Sequence, residues 1–171
     1  MGFNDILKKF FGNKAQRDLK EIEPYVEKVR KAYEIIKKLS NDELRQRSEE
    51  LKVQIQDFVS TEVNRIAELK ASIEETEINF REKIYNEIDK LEKEITEKYE
   101  KALDDALPEA FAIIKETARR LTEDKGLIVT ANDFDRDLAA KYDFVSIQGD
   151  KAHFKNEWTA GGTLVKWEMV H

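Results

Sequence analysis

The sequence predicts a mainly α protein with a small α+β part at its C-terminal end: a long helical hairpin or coiled-coil arm, then a short antiparallel β-meander. Three observations carry this. Residues 40–107 are highly charged and contain neither glycine nor proline. Their apolar residues recur at helical spacing, by seven at Leu44, Leu51 and Phe58 and by eleven at Phe58, Leu69, Phe80, Leu91 and Ala102. After residue 125 the texture changes to short β-branched and aromatic runs separated by Gly-containing turns,.

The chain has 171 residues, 40% hydrophobic and 39% charged, a balance that suits long amphipathic helices better than a sphere,. Net charge is −6, which argues against nucleic acid as a partner,. Residues 1–40 carry ten Lys/Arg against six Asp/Glu, about +4, leaving about −10 for the remainder. A basic front end on an acidic body points to an acidic surface as the front end's partner. The absence of cysteine excludes disulfide and thiolate chemistry,. No apolar window is long enough to span a membrane and no secretory signal opens the chain, so the expected location is cytosolic.

Residues 1–12 form the first predicted unit, an amphipathic helix. Phe3, Ile6, Leu7, Phe10 and Phe11 fall at i, i+3, i+4, i+7 and i+8, one helix face,. Lys8, Lys9, Lys14 and Arg17 lie off that face, and Gly12-Asn13 supplies a stop,. An aromatic face beside a basic one suits a lipid headgroup layer. It equally suits an arm that packs on its own protein.

Residues 13–107 are expected to be a helical hairpin. Leu19, Ile22, Val26, Val29, Tyr33 and Ile36 make a heptad seam over 16–39, with Pro24 either kinking that helix or sitting in its first turn,. Ser40 with Glu43 is a capping box that starts the long helix,. Besides the row from Phe58, the eleven-step holds for Ile73, Ile84, Ile95 and Ala106, and for Ile66, Ile88 and Tyr99 with Glu77 as a gap. Eleven residues in three turns is about 3.67 per turn. One helix over 40–107 would reach ~90–100 Å, and its stripe must find a partner, either a neighbouring molecule or a return segment.

Leu107-Pro108 interrupts this helix. Residues 108–122 then make the least polar helix, fit for a core, with Glu116, Arg119 and Arg120 on its wet side. Residues 123–171 are the α+β part. Leu127-Ile128-Val129-Thr130 is a short β run, Asp133 caps a helix over 134–141, and strands are expected over 143–148, 152–158 and 163–170,. Phe144, Phe154, Trp158 and Trp167 are its expected core.

No constellation carries chemistry. Asp133-x-Asp135-x-Asp137 opens like a calcium loop, but Leu138 stands where the turn glycine is needed and Phe144 where the bidentate glutamate is needed,. It reads as an acidic first turn. His153 and His171 have no partner at metal-ligand spacing,. No phosphate loop, nucleophile elbow or carboxylate pair appears, so no catalytic and no metal-binding residue is assigned. Val165 to His171 breaks off in mid-pattern, as expected of a piece of something larger.

Three segments together resemble the N-terminus of SecA, the bacterial preprotein translocase motor ATPase. They are the amphipathic start through Phe10-Phe11-Gly12 with Arg17-Asp18-Leu19; Leu39-Ser40-Asn41-Asp42-Glu43-Leu44 with Glu49-Glu50-Leu51; and Leu103-Asp104-Asp105-Ala106-Leu107-Pro108-Glu109-Ala110-Phe111-Ala112 through Lys115-Glu116 to Arg119-Arg120. Met169-Val170-His171 looks like the approach to the family's adenine-reading segment. Residues 55–102 and 123–165 depart from the family pattern and look like insertions. The resemblance implies that the parent hydrolyses ATP, with Mg²⁺, between two RecA-like domains and pushes preproteins through the SecYEG channel. It implies that the first helix binds acidic phospholipid and the translocon, so that Phe3, Ile6, Leu7, Lys8, Lys9, Phe10, Phe11 and Lys14 are the expected docking residues. The location implied is cytoplasmic, peripheral on the inner face of the bacterial membrane. The phosphate loop, Mg²⁺-holding acidic motif and arginine finger lie beyond His171 in the family, so this chain is expected to hold no cofactor and hydrolyse nothing. Met169 is the one residue that would approach adenine in the parent. The alternative is a structural protein that self-associates through 55–102 as a dimeric coiled coil.

Overall fold

The computed structural model describes residues 3–124 and 126–169, the side chains of 3–13, 15 and 169 excepted. Four helices come first: α1 (Phe3–Ile36), α2 (Asn41–Asp57), α3 (Ser60–Ser72) and α4 (Ile78–Glu123). They are followed by β1 (Gly126–Thr130), α5 (Asp133–Lys141), β2 (Val145–Gln148), β3 (Lys151–Lys155), β4 (Glu157–Ala160), β5 (Thr163–Lys166) and a 3₁₀ turn over Trp167–Met169. The architecture is mainly α with a small antiparallel β part, as the composition and periodicity predict.

The 40–107 region is not one helix. It breaks at Phe58-Val59 and again over 73–77, where the chain reverses, so that α3 lies antiparallel on α4. The eleven-step rows are the seam of that hairpin. Ile66, Leu69 and Ile88 are buried, with Ile73, Ile84, Leu91 and Ile95 packed around them. Of the two partners open to the stripe, the return segment takes it. The reversal uses no Gly or Pro. Arg81 closes it instead, donating from Nε to the Thr76 carbonyl (2.9 Å) and from Nη2 to the Glu74 carbonyl (3.2 Å). Thr76 Oγ1 adds a bond to the Ser72 carbonyl (2.8 Å).

The helix does not break at Leu107-Pro108 either: α4 runs straight through Pro108. An interior proline forfeits one backbone hydrogen bond and costs about 3 kcal/mol. Burial on both sides of it offsets that cost. Ala106, Ala112 and Ile113 pack with Ile36, Leu44 and Leu51 in one cluster, so a break would open the core. Similarly, α1 continues through Gly12-Asn13, and Pro24 lies in its interior rather than in a first turn. A single helical glycine costs only ~1 kcal/mol, less than a stop requires.

The seam of α1 also differs from expectation. Its last turns pack chiefly on the C-terminal third of α4, through Ala32, Tyr33 and Ile36, and not along the length of α2. Leu19, Ile22 and Val26, nearer its start, are exposed. The two helices run parallel, with Tyr25 beside Asp104, Tyr33 beside Glu116 and Leu39 beside Arg120.

In the β part, β3 is central in a three-stranded antiparallel sheet of order β1-β3-β2, while β4 and β5 form a separate hairpin. Gly161 and Gly162, at φ 56° and 80°, make its tight turn, a conformation that L side chains resist,. The expected strand over 152–158 thus divides at Asn156, and that over 163–170 ends at Lys166 in the 3₁₀ turn. The helix cap is Asn132, not Asp133. Val129, Val145 and Ala152 are the buried positions of the sheet. The four aromatics expected as its core are half-buried and line an open cleft of about 620 Å³ beside Leu121 and Leu127. Trp158 and Trp167 meet edge to face there at 5.7 Å.

Candidate functional site

The predicted docking residues begin α1. Phe3, Ile6, Leu7, Lys8, Lys9, Phe10 and Phe11 lie on its helical backbone, where the i, i+3, i+4, i+7, i+8 spacing sets the apolar five on one face; their side chains lie outside the described ones. Lys14 is exposed. Residues 16–28 are exposed as well, although Tyr25 still reaches Asp104 of α4. Met169 closes the 3₁₀ turn, which the Trp167 amide ties to the Asn156 carbonyl (3.0 Å); the Met169 side chain and His171 lie outside the described set.

What fixes α1 to the body is a buried ionic junction that the sequence reading placed on the wet side of 108–122. Glu116 is 0% exposed and Arg120 6%. The Glu116 carboxylate accepts from Tyr33 Oη (2.9 Å), Arg120 Nε (2.7 Å) and Arg119 Nε and Nη2 (3.1 and 2.8 Å). Arg120 then donates Nη2 to the Leu39 carbonyl at the end of α1 and Nη1 to Asn41 Oδ1 (2.7 Å). The Arg119 hydrogen bonds, with those from Arg120 and Tyr33, hold the Glu116 carboxyl down at about 2 against the opposing effect of burial,. Burial and the Glu116 carboxylate together push the Tyr33 hydroxyl up. The signal for this burial was in the sequence: Ile113, Glu116 and Arg120 share one helix face, and Glu116-Arg120 is an i, i+4 pair,. Phe111 and Ile114, on the apolar side expected to face a core, are instead 56% and 65% exposed.

Asn41 begins a second linkage. Its Nδ2 donates to the Ile128 carbonyl (3.0 Å). Asp42 accepts from the Thr130 amide (2.6 Å) and hydroxyl (2.8 Å), which keeps its carboxyl below the usual range. Arg45 makes a bidentate pair with Asp135 (2.7 and 3.0 Å). Asp135, 0% exposed, also completes the capping box with Asn132. The first turns of α2 therefore satisfy the free edge of β1, which would otherwise offer unpaired backbone groups. Asp133-x-Asp135-x-Asp137 is a helix cap with an ion pair. Among the described residues no three His, Cys, Asp or Glu side chains gather as a metal-binding group.

Chemically, these groups occupy each other. Carboxylates and guanidiniums are saturated by their partners, which suits holding elements in register and not acid–base work. No helix among the described residues is long and apolar enough to cross a membrane.

The comparisons with known proteins agree with the sequence motifs. The model of the SecA DEAD-like domain matches residues 7–142. A protein translocase subunit SecA from Parabacteroides distasonis is 55% identical over 171 residues, all of this chain and 15% of that protein. Its counterpart from Phocaeicola vulgatus is 58% identical over 172 residues, with 100% and 16% covered, and that from Flavobacterium psychrophilum 42% over 169, with 98% and 15% covered. Full coverage in the first two means that those relatives carry the 55–102 and 123–165 segments too. No solved structure matches the chain. The chain spans about 15% of the length of the curated relatives it matches, and it belongs to the SecA family.

Proposed function

We propose that this chain is the N-terminal docking and scaffold portion of a SecA-type translocase that drives preproteins through the SecYEG channel. One observation carries the reading: the Phe3/Ile6/Leu7/Phe10/Phe11 face beside Lys8, Lys9 and Lys14 opens a helix that is exposed over 16–28 and packs on the body through its last turns. On this reading the basic flank meets acidic phospholipid, the aromatic face enters the headgroup layer, and the protein sits peripherally on the cytoplasmic face of the membrane. ATP and Mg²⁺ belong to parts of the parent outside this chain, which contributes at most Met169 to the adenine pocket. Its role is mechanical, to tie the anchor to the body through the Glu116–Arg120 junction.

Sedimentation with phosphatidylglycerol vesicles tests the anchor. The chain binds, and binding weakens from 0.1 to 1 M salt as the screening length falls from ~10 to ~3 Å. Phe10→Glu with Phe11→Glu lowers affinity by about two orders of magnitude, since each buried Phe is worth ~1.5–3 kcal/mol. Unchanged binding of that variant removes the first helix as the anchor.

A further inference from the structure

Arg120 grips the corner at which the chain passes from α1 into α2, and it does so from both sides of the helix cap. Its Nη2 donates to the Leu39 carbonyl, just before Ser40, and its Nη1 to Asn41 Oδ1 (2.7 Å), just after it. The capping box of Ser40 and Glu43 locks the residue between them, so 39–41 move as one piece,. Arg120 Nε is held in turn by Glu116 (2.7 Å), whose carboxylate also takes the Tyr33 hydroxyl of α1 (2.9 Å).

Asn41 carries the contact onward. Its Nδ2 donates to the Ile128 carbonyl (3.0 Å) on the outer edge of β1. Two further groups of that edge are met from α2, the Thr130 amide by Asp42 and the Thr130 carbonyl by Arg45. The other bonds of Asp42 and Arg45 lead back into the β part, to the Thr130 hydroxyl and to Asp135. Among the described residues Asn41 is thus the side chain that hydrogen-bonds both the Arg120 cluster and the sheet.

A primary amide between a donor and an acceptor has two orientations, and here they are far from equal. With Oδ1 toward the guanidinium, the amide nitrogen faces the Ile128 carbonyl. Turned by half a rotation, it would set N–H against N–H and oxygen against oxygen. The Arg120 cation therefore decides which end Asn41 offers to β1. A group with two discrete states, biased from both of its ends, is the kind of element that carries coupling between distant sites. The geometry points to a directional relay, Tyr33–Glu116–Arg120–Asn41–Ile128, through which the seating of α1 sets how tightly the β1 edge is closed. Asn41 is its positioning residue. The relay goes beyond the membrane reading and does not depend on what α1 binds. Whatever lifts the last turn of α1 takes Asn41 off β1, and by reciprocity whatever opens that edge loosens α1 while the relay is intact.

Hydrogen exchange of the full chain, followed segment by segment, tests this. The α3–α4 shaft is the internal reference, because its buried cluster is separate from that of the body. Asn41→Asp keeps the size and the acceptor for Arg120 but turns an oxygen on the Ile128 carbonyl. It speeds exchange in β1 about tenfold and leaves residues 31–39 as protected as in wild type. Asn41→Ala gives up both contacts and loosens both segments. Tyr33→Phe removes only the hydroxyl at the far end of the relay. With Asn41 in place it speeds β1 exchange about fivefold, the size of one net hydrogen bond. In the Asn41→Ala background it adds nothing in β1. The proposal is overturned by a Tyr33→Phe variant with wild-type exchange in β1, or by the same increment with and without the Asn41 amide. It is equally overturned if Asn41→Asp behaves as Asn41→Ala, or if the shaft speeds up in step with β1, which marks a general loss of stability.

Discussion

Removing the Glu116 carboxylate tests whether α1 is held by a buried charge cluster. In Glu116→Ala, Arg120, only 6% exposed, loses its one buried counter-charge, and Tyr33 and Arg119 lose their acceptor. Breaking a buried pair from one side costs ~3–5 kcal/mol. An independent route gives a similar size. The Glu116 carboxyl stands at about 2 against an ordinary 4.5. That difference at 1.36 kcal/mol per unit is about 3 kcal/mol. Because the folded-state value is depressed, this stability is fully present above pH 4.5 and is lost as pH falls from 4.5 toward 2. Thermal unfolding followed by circular dichroism at 222 nm reads both effects. At pH 7 the variant melts ~6–20 °C below wild type, taking ~2–4 °C per kcal/mol for a chain of this size. Between pH 5 and 3 it loses less additional stability than wild type. Glu116→Leu with Arg120→Met recovers most of the deficit, since an apolar pair of similar volume often matches a buried ion pair. A deficit below ~1 kcal/mol at pH 7, or an acid response identical to wild type, refutes the account of the junction.

Two further substitutions probe how the β part is attached. Asp135→Ala removes both the reciprocal cap of α5 and the Arg45 anchor, for ~2–4 kcal/mol,. Hydrogen exchange shows faster amides in α5 and β1 with the α3–α4 arm unchanged. Gly126→Ala places a Cβ 2.4 Å from the Phe154 carbonyl oxygen at φ 135°, so the β1–β3 pairing must shift. The cost is about 2 kcal/mol or more by chemical denaturation, and a neutral result would mean β1 is not held as described.

The helical nature of the first two thirds, the Ser40–Glu43 cap and the change of texture after residue 125 were legible because each rests on local chemistry. What was not legible depended on tertiary contacts. Pro108 and Gly12 carry the right local signal for a stop, and burial of Ala106, Ala112 and Ile113 on α1 and α2 overrides it at Pro108. Glu116 and Arg120 look solvated by residue type, and only the arrival of Tyr33, Leu39 and Asn41 from distant sequence makes them a core. The edge of β1 is completed by side chains some eighty-five residues earlier, a distance that no window along the chain covers.

The reversal at 73–77 is more instructive, because the sequence did mark it. Across the three eleven-step rows a single position is polar, Glu77, and it stands at the start of α4. The rows cross the turn without losing register, so periodicity alone reads two antiparallel helices as one. Burial separates the positions that periodicity merges. Ile66, Leu69 and Ile88 face each other across the hairpin, whereas Phe58 and Phe80, on the same row as Leu69, are 42% and 52% exposed. A stripe in a single straight helix would be covered or bare along its length by one partner. Here it is covered over the shaft and exposed at the tip, where Ile78 stands in water and Lys83 lies over the half-exposed Phe80 ring. The same eleven-residue step thus builds a self-sufficient arm and leaves its far end apolar and acidic.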